Sequence, residues 1–300
     1  MLFRSDKLFY FLGFEVLKER LGKTIIAVVP DQNARQGILP GVAPFTVNAA
    51  VKPFLDQYPA PNGRNLGGGL ANSIYGFNQR LNQYFTQGRV DFELGSAHQA
   101  FARYTFDDAD QFLPTDFPQF PRDFVSRNQF LTLEDTWIVS PRTLHTFRGS
   151  FARTRIGQFV QANVPSTLGP FVPGRGIMGG IDVGGIPGRF GPQTSGNLKL
   201  VQNLFGFEHG MVRTGGRHTL KAGFLSEHYR DNMYNPTFSL GIYTFASLRN
   251  FLLNVPATFL GLSPIGALDR YWRFTLFGLY VQDSYRAAAR LTLKDRKSVV

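Results

Sequence analysis

Long segments in which apolar and polar residues alternate at every second position constrain this chain most strongly. The clearest is 82–94, where the even positions are mostly apolar and the odd positions, apart from Phe85, are polar. Side chains of a β-strand point alternately to opposite faces, so this pattern is typical of a strand with one apolar and one polar face. The pattern resumes at Ala100 after a short turn at 95–97, which predicts an antiparallel hairpin.

The same alternation recurs along the whole chain. It predicts about nine strands, at residues 7–17, 82–94, 100–106, 127–139, 142–155, 198–212, 217–230, 271–286 and 290–294. Most of these segments exceed the five or six residues that are usual for strands of soluble proteins. They fit the roughly nine to eleven residues with which a tilted strand crosses a membrane.

Long and short connections alternate between the predicted strands. The long ones are 18–81, 107–126, 156–197 and 231–270, and the short ones lie near residues 96, 141, 215 and 288. An outer-membrane barrel has this arrangement, with tight periplasmic turns and long outer loops. We therefore expect an all-β fold: an antiparallel up-and-down meander that is part of a large outer-membrane β-barrel, open in this chain and located in the cell outer membrane.

The two faces of the predicted strands differ in chemistry. The apolar face carries Tyr84, Tyr104, Trp137, Phe147, Phe151, Phe224, Phe277 and Tyr285. The opposite face carries Arg89, Asp91, Glu93, Arg103, Glu134, Arg148, Lys221 and Glu227. A Lys or Arg facing the bilayer midplane costs about 2–4 kcal/mol. The charged face is therefore expected to line a water-filled lumen, and the apolar face to contact outer-membrane lipid.

Composition argues against several other classes of protein. The chain has no Cys, which excludes disulfides, thiolate metal sites and Cys nucleophiles. Its formal net charge is +11, but Lys and Arg are scattered singly, so we expect no nucleic-acid partner. The chain has no stretch of 18 apolar residues, so no membrane-spanning helix is predicted. One short helix is predicted inside a long loop, at 245–254, from apolar residues at helical spacing.

Motifs that carry enzyme chemistry are weak in this sequence. Residues 174–179 fit G-x-G-x-x-G, but the flanking Pro173 and Gly180 predict a flexible loop instead of the strand and helix that a nucleotide site needs. Asp107, Asp108 and Asp110 lie where a strand is expected to enter a long loop, and their arrangement favours solvated carboxylates over a Ca²⁺ site.

Histidines offer the other candidate for metal binding. His209 and His218 lie on the two arms of one predicted hairpin, where they are expected to be able to approach each other. A metal site needs three or four converging ligands, so solvated histidines are favoured. We expect no enzyme activity and no cofactor, and we assign no catalytic, cofactor-binding, metal or ligand-binding residue.

Several segments resemble the TonB-dependent outer-membrane receptors, in the group with a carboxypeptidase-regulatory-like N-terminal domain. The segments that carry the resemblance are Asp6–Phe11 with Gly13–Glu15, Ala27–Pro30, Gln57–Asn62, Arg89–Asp91 with Phe101–Phe106, Gly216–Gly223, and Phe277–Asp283 with Arg290–Leu293. They occur in the family's order and cover most of the chain from residue 6 to residue 293.

The resemblance implies a 22-stranded barrel that is closed by a plug domain and energised through TonB. This chain is then expected to be part of the barrel wall, inactive alone because the plug domain and the TonB-binding box are missing. The implied partners are that plug domain, the TonB complex and an extracellular ligand. The ligand is expected to be a sugar, a peptide or a chelate, among which the sequence does not choose, captured with help from loops 18–81 and 156–197.

The two ends of the chain resemble translated sequencing adapters. Leu2–Ser5 can be encoded by CTC TTC CGA TCT, and Asp295–Val300 by GAT CGG AAG AGC GTC GTG. We therefore expect residues 6–294 to form the partial barrel, and residues 1–5 and 295–300 to be foreign tails. Two other functions fit the same pattern: a passive porin or adhesin barrel, and a secreted soluble β-protein that binds carbohydrate.

Overall fold

The computed structural model describes residues 7–299, so the expected foreign tail at 1–5 lies outside the described residues. The strands of its main sheet are β1 (Leu8–Pro30), β2 (Asn65–Gly67), β3 (Leu70–Leu94), β4 (His98–Leu113), β5 (Arg122–Ser140), β6 (Thr143–Val160), β8 (Lys199–Gly215), β9 (His218–Tyr234), β12 (Asp269–Ala288) and β13 (Leu291–Val299). Nine of them are joined in the order β1-β3-β4-β5-β6-β8-β9-β12-β13, and β2 adds to β3.

Every neighbouring pair in this sheet is antiparallel, which confirms the up-and-down meander. The inner turns are tight: Gly95 and Gly216 have φ of 75° and 56°, which glycine adopts without steric cost. β1 and β13 form the two edges of the sheet, so the barrel wall is open, as expected.

The strands are longer at their outer ends than the alternation predicts. Residues 18–30 and 70–81, assigned to a loop, continue β1 and β3, and Asp107–Asp110 lie inside β4. The prediction was wrong here because both faces of these extensions meet polar surroundings or loops, so strict alternation is not needed. β13 also runs through residues 295–299; their interpretation as a foreign tail stays a prediction.

The cross-strand register confirms the two predicted faces. Residues that pair across neighbouring strands share a face of the sheet. Tyr84 pairs with Asp108, Asp108 with Arg127, and Arg127 with Arg155. Followed in this way from strand to strand, the register puts the other predicted apolar positions on the same face as Tyr84. The register places all the predicted charged positions on the other face. On β1 the apolar side chains of the lipid-facing side are Leu8, Tyr10, Leu12, Phe14 and Val16, all at least 45% exposed.

This apolar stretch of β1 has the length that a tilted strand needs to cross the hydrocarbon layer, about nine to eleven residues. The next lipid-side residues, Lys18 and Arg20, are charged. The same change occurs on β6, where Phe151 is followed by Arg153 and Arg155. We call the stretch of apolar residues on this face the apolar belt. Its length and boundary fit a strand that leaves the lipid at the outer side.

Four connections at the outer end fold together into a unit that we call the loop cap, residues 31–69, 114–121, 161–198 and 235–268. It contains a 3-10 helix (Ala34–Gln36), α1 (Lys52–Leu55), α2 (Leu248–Leu252), and a small sheet of β11 (Thr258–Leu260), β10 (Ile242–Phe245) and β7 (Gly180–Val183). The pairing of β10 with β7 is parallel and ties the third connection to the fourth.

The predicted helix at 245–254 is confirmed in a shorter form. α2 begins after Ser247, whose side chain accepts a hydrogen bond from the backbone N–H of Asn250, while Phe245 belongs to β10. Among residues 7–299, no helix is long and apolar enough to cross a membrane.

The buried apolar core of the molecule lies in the loop cap. Its members come from all four connections and from the outer end of β1: Ala27, Val29, Leu39, Leu55, Tyr58, Phe117, Phe120, Met178, Ile181, Phe190, Phe245 and Leu252 are examples. Ala27 and Val29 are buried, and the register puts them on the charged face of the sheet. The cap therefore covers the lumen side of the wall at its outer end.

Candidate ligand cleft and lumen wall

Charged side chains on the lumen side of the wall form ion pairs across strands. Arg148 of β6 lies between Glu134 of β5 and Glu208 of β8, at N–O distances of 2.7 and 3.1 Å. Register brings the three together because Glu134 pairs with Arg148 and Arg148 pairs with Glu208. Glu134 is the most covered of them, with its side chain 16% exposed. The network can hold this part of the lumen wall rigid.

A second group of polar contacts lies on β3 and its neighbours. Arg89 donates to the Asp91 carboxylate at 2.6 Å and lies over the ring of Phe101, 3.9 Å from its centroid. The Asp107 carboxylate accepts hydrogen bonds from Gln83 at 2.8 Å and from Asn128 at 3.3 Å. Asp107 is therefore a member of the wall, and the expected solvated-loop environment for it was wrong.

The other two carboxylates of the predicted loop cluster, Asp108 and Asp110, also lie in β4. The Asp108 carboxylate pairs with Arg127 at 2.9 Å, and Asp110 pairs with Arg80 at 3.5 Å. These two residues face the lipid side of the sheet, outside the apolar belt, whereas Asp107 faces the lumen. The alternation of the strand therefore separates residues that sequence proximity grouped together.

Aromatic rings pack tightly inside the loop cap. The ring of Phe190, fully buried, stacks on Tyr58 at a centroid distance of 4.2 Å and meets Phe120 edge-on at 5.0 Å. Burial raises the pKa of the Tyr58 hydroxyl far above its ordinary value. The phenol therefore stays neutral throughout the physiological pH range, as a dry core requires.

Arg35 organises the first connection of the cap. Its guanidinium donates to the backbone carbonyls of Pro30, Leu55, Tyr58 and Pro59 at 2.7 to 3.2 Å. Burial lowers the pKa of this guanidinium, and the opposing effect of a nearby carboxylate is smaller. Four carbonyls on one cation fix the path of the chain between β1 and the cap core.

Between the loop cap and the lumen side of the wall lies a cleft of about 850 Å³. Ile25 of β1 and Arg122 of β5 line it from the wall, and the cap supplies Asp116, Asp182 and Arg189. The Arg189 guanidinium donates twice to the Asp182 carboxylate, at 2.8 and 2.6 Å. Two cations and two carboxylates among apolar side chains suit a polar ligand with little net charge.

Sequence reasoning did not find this cleft. Its charged residues come from β5 and from two connections that are far apart in the chain, so no local motif joins them. The sequence indicates only that residues 161–198, which are rich in Gly and Pro, form a loop. It does not indicate which other part of the chain that loop packs against. The G-x-G-x-x-G segment at 174–179 lies in that connection, between strands and without a following helix.

The histidines are placed differently from the prediction. His218 pairs with Gly215 and His209 with Phe224, so these two histidines are not cross-strand neighbours. His209 instead approaches His145 of the adjacent β6, with 2.9 Å between ring nitrogens. Within the described residues, no three His, Cys, Asp or Glu side chains converge as a metal site would require.

The profile of the family described as "Outer membrane beta barrel domain" matches residues 3–294. The chain belongs to this family. Its sheet, with one apolar and one charged face, is a barrel wall, and the protein is located in the outer membrane. The secreted soluble alternative is therefore excluded.

The crystal structure of the outer membrane transporter YddB from Escherichia coli superposes with a TM-score of 0.48 and 9% sequence identity, over 98% of this chain and 39% of that chain. This outer-membrane barrel chain thus spans well under half the length of that transporter chain. A comparison with curated protein sequences finds no match.

Proposed function

We propose that this chain is a section of the wall of a TonB-dependent receptor that imports an extracellular ligand. The observation that carries the proposal is the loop cap, which covers the lumen side of the wall at the outer end and leaves a charged cleft beneath it. The resemblance of the sequence segments to that receptor group supports it independently.

In this proposal the ligand binds first in the cleft, where Arg122, Arg189, Asp116 and Asp182 offer donors and acceptors of both signs. A sugar, a peptide or a metal chelate fits this lining. The ion pairs of the lumen wall keep the path below the cap polar. A plug domain and a TonB-binding segment, which are proposed to belong to the complete protein, supply gating and energy, so the section alone is inactive.

A passive porin or adhesin barrel is the second candidate, because it shares the two-faced wall and the long outer loops. A cap with its own hydrophobic core favours the first candidate, since such a structure obstructs free diffusion. The proposal also assigns the protein no enzyme activity and no cofactor, because transport needs only binding groups from this section.

The test uses the complete gene product. Sequence upstream of residue 6 is expected to encode a plug domain and a TonB-binding box. Uptake of labelled maltooligosaccharides, short peptides and ferric chelates is measured in cells with and without TonB. We expect one of the three probe classes to enter only when TonB is present.

Paired variants of the cleft sharpen the same experiment. The double variant Arg189→Met, Asp182→Asn removes both charges of the ion pair, so neither is left without a partner. It is expected to weaken uptake of the active probe about tenfold, because one charge-assisted hydrogen-bonding contact with the ligand is lost. Lys52→Met, on the exposed surface of the cap, is the matched control. TonB-independent uptake, or a gene without a plug, would overturn the proposal in favour of a passive barrel.

A further inference from the structure

Three arginines lie in one cross-strand row on the lipid-facing side of the wall. Arg153 of β6 pairs with Asn203 of β8, Asn203 pairs with Arg230 of β9, and Arg230 pairs with Arg273 of β12. Residues in such a row share a face and are separated by the strand spacing, about 4.8 Å per strand. We call Arg153, Arg230 and Arg273 the arginine row.

On β6 the arginine row lies directly beyond the apolar belt, whereas on β9 and β12 polar residues separate the row from the belt. The adjacent row toward the periplasmic side contains Phe151, Phe205, His228 and Thr275. Long connections lie beyond the row and tight turns lie on the other side, so this limit of the belt is at the outer surface of the membrane. The three arginines therefore lie near the outer boundary of the lipid, and because the strands are tilted the row crosses this boundary obliquely.

Carboxylates do not neutralise this row. Within residues 7–299, no Asp or Glu carboxylate lies within salt-bridge distance of Arg153, Arg230 or Arg273. Arg153 donates to the Asn203 side chain at 3.1 Å, and Arg273 to the Asn232 side chain at 2.6 Å. Arg273 also donates to the backbone carbonyls of Asp231 and Trp272, so the acceptors in contact with Arg153 and Arg273 are neutral. Like charges on adjacent strands are destabilising, so an anion bound along the row would relieve their repulsion.

The corresponding boundary on β3, β4 and β5 has the opposite character. There Arg127 pairs with Asp108 and Arg80 pairs with Asp110, so each lipid-side arginine has its own carboxylate. The three arginines of the row, on β6, β9 and β12, differ from these in having no carboxylate partner among the described residues, as does Arg20 on the lipid side of β1.

A hollow of about 400 Å³ adjoins the arginine row. It is lined by Arg153, Arg155, Lys199, Asp269 and Tyr271, among others, so cations outnumber the carboxylate in its wall. Tyr271 is 68% exposed and supplies an apolar ring beside the charges. The site therefore combines an excess of positive charge with apolar surface, at the membrane boundary.

We propose that the arginine row and this hollow bind the phosphate groups of an outer-leaflet lipid headgroup. Guanidinium groups match phosphate oxygens in a bidentate geometry. A lipid phosphate is held at this height by its own acyl chains, which pack on Phe205 and Phe277 of the apolar belt, whereas a free phosphate ion gains nothing from those rings. The proposal depends on the lipid-facing orientation of the sheet and not on TonB dependence.

The experiment uses the complete barrel that contains this chain, purified in a neutral detergent. Binding of bis-phosphorylated lipid A and of its dephosphorylated form is measured by native mass spectrometry. We expect the triple variant Arg153→Gln, Arg230→Gln, Arg273→Gln to bind the phosphorylated form at least tenfold more weakly, and the dephosphorylated form to bind weakly to both proteins.

Arg127→Gln is the matched control, because it removes a lipid-side arginine that already has a carboxylate partner. Folding of each variant is checked by its gel mobility before and after heating, and the single variant Arg230→Gln replaces the triple variant if that one does not fold. Equal binding by wild type and variant would overturn the proposal. Displacement of the lipid by millimolar inorganic phosphate would also overturn it, because the site would then hold any free anion.

Discussion

The loop cap and the barrel wall use the same residue types in opposite ways. In the cap, Phe190 is fully buried among other aromatic rings, whereas Phe207 in the wall is 44% exposed. The cap is a small globular unit that removes its apolar side chains from water by packing them on each other. The wall presents its apolar side chains outward, and lipid takes the place of a protein core.

Whether exposed apolar surface is favourable depends on what surrounds it, water or lipid. A patch such as Tyr10, Leu12 and Phe14 on β1 would be a liability in a soluble protein. Its length and the charged residues at its limit identify it as membrane-facing surface. The cap lacks this pattern because its environment is water.

The largest expected effect concerns the core of the cap. Phe190→Ala removes a ring that contacts Tyr58 and Phe120, and is expected to destabilise the cap by about 3–5 kcal/mol. Hydrogen exchange of residues 31–69 and 161–198 measures this loss. Phe207→Ala, the same change in the wall, is the control and should leave exchange in the cap unchanged. Equal loss of protection in both variants would contradict the separation of cap and wall.

A smaller effect is expected from a charge on the lipid side. Val90→Arg places a cation in the apolar belt and should lower the free energy of unfolding by about 2–4 kcal/mol in lipid vesicles. Gln87→Arg, on the lumen side of the same strand, is the control, because its charge remains in water. Urea titration of the two variants in vesicles measures the difference, and similar midpoints would mean that the faces are assigned incorrectly.

The smallest effect is expected in the lumen network. Arg148→Met leaves Glu134 and Glu208 without their shared cation, and should destabilise the wall by about 1 kcal/mol, since these groups remain partly hydrated. Adding Glu134→Gln should restore part of the loss. Urea midpoints at low and high salt measure the change, with Arg213→Met as the control. A loss unaffected by salt would argue against an electrostatic cause.

The alternation in the sequence was enough to predict the meander and to sort wall residues such as Phe151 and Arg148 onto their correct faces. It did not predict the outer extensions, because residues 18–30 and 70–81 contact loops or water on both faces. The alternation did not show that His209 and His218 fail to meet. The two residues lie at different distances from the turn of their hairpin, so the register does not pair them.

The cleft and the arginine row were also beyond the reach of the sequence. Arg153, Arg230 and Arg273 lie on strands separated by long connections, and their alignment depends on register across β6, β8, β9 and β12. Such register is set by three-dimensional pairing. The resemblance to a receptor family implied a barrel wall but did not specify which side chains meet.

β1 and β3 form a continuous ribbon in which Leu8 pairs with Phe92 and Pro30 with Leu70. Its 23 residues in β1 span roughly 75 Å, and a strand tilted by about 45° rises roughly 50 Å over that length. The hydrocarbon layer takes up only about 30 Å of this height. The ribbon therefore holds the loop cap and its cleft above the membrane surface, at a distance from the surrounding lipids.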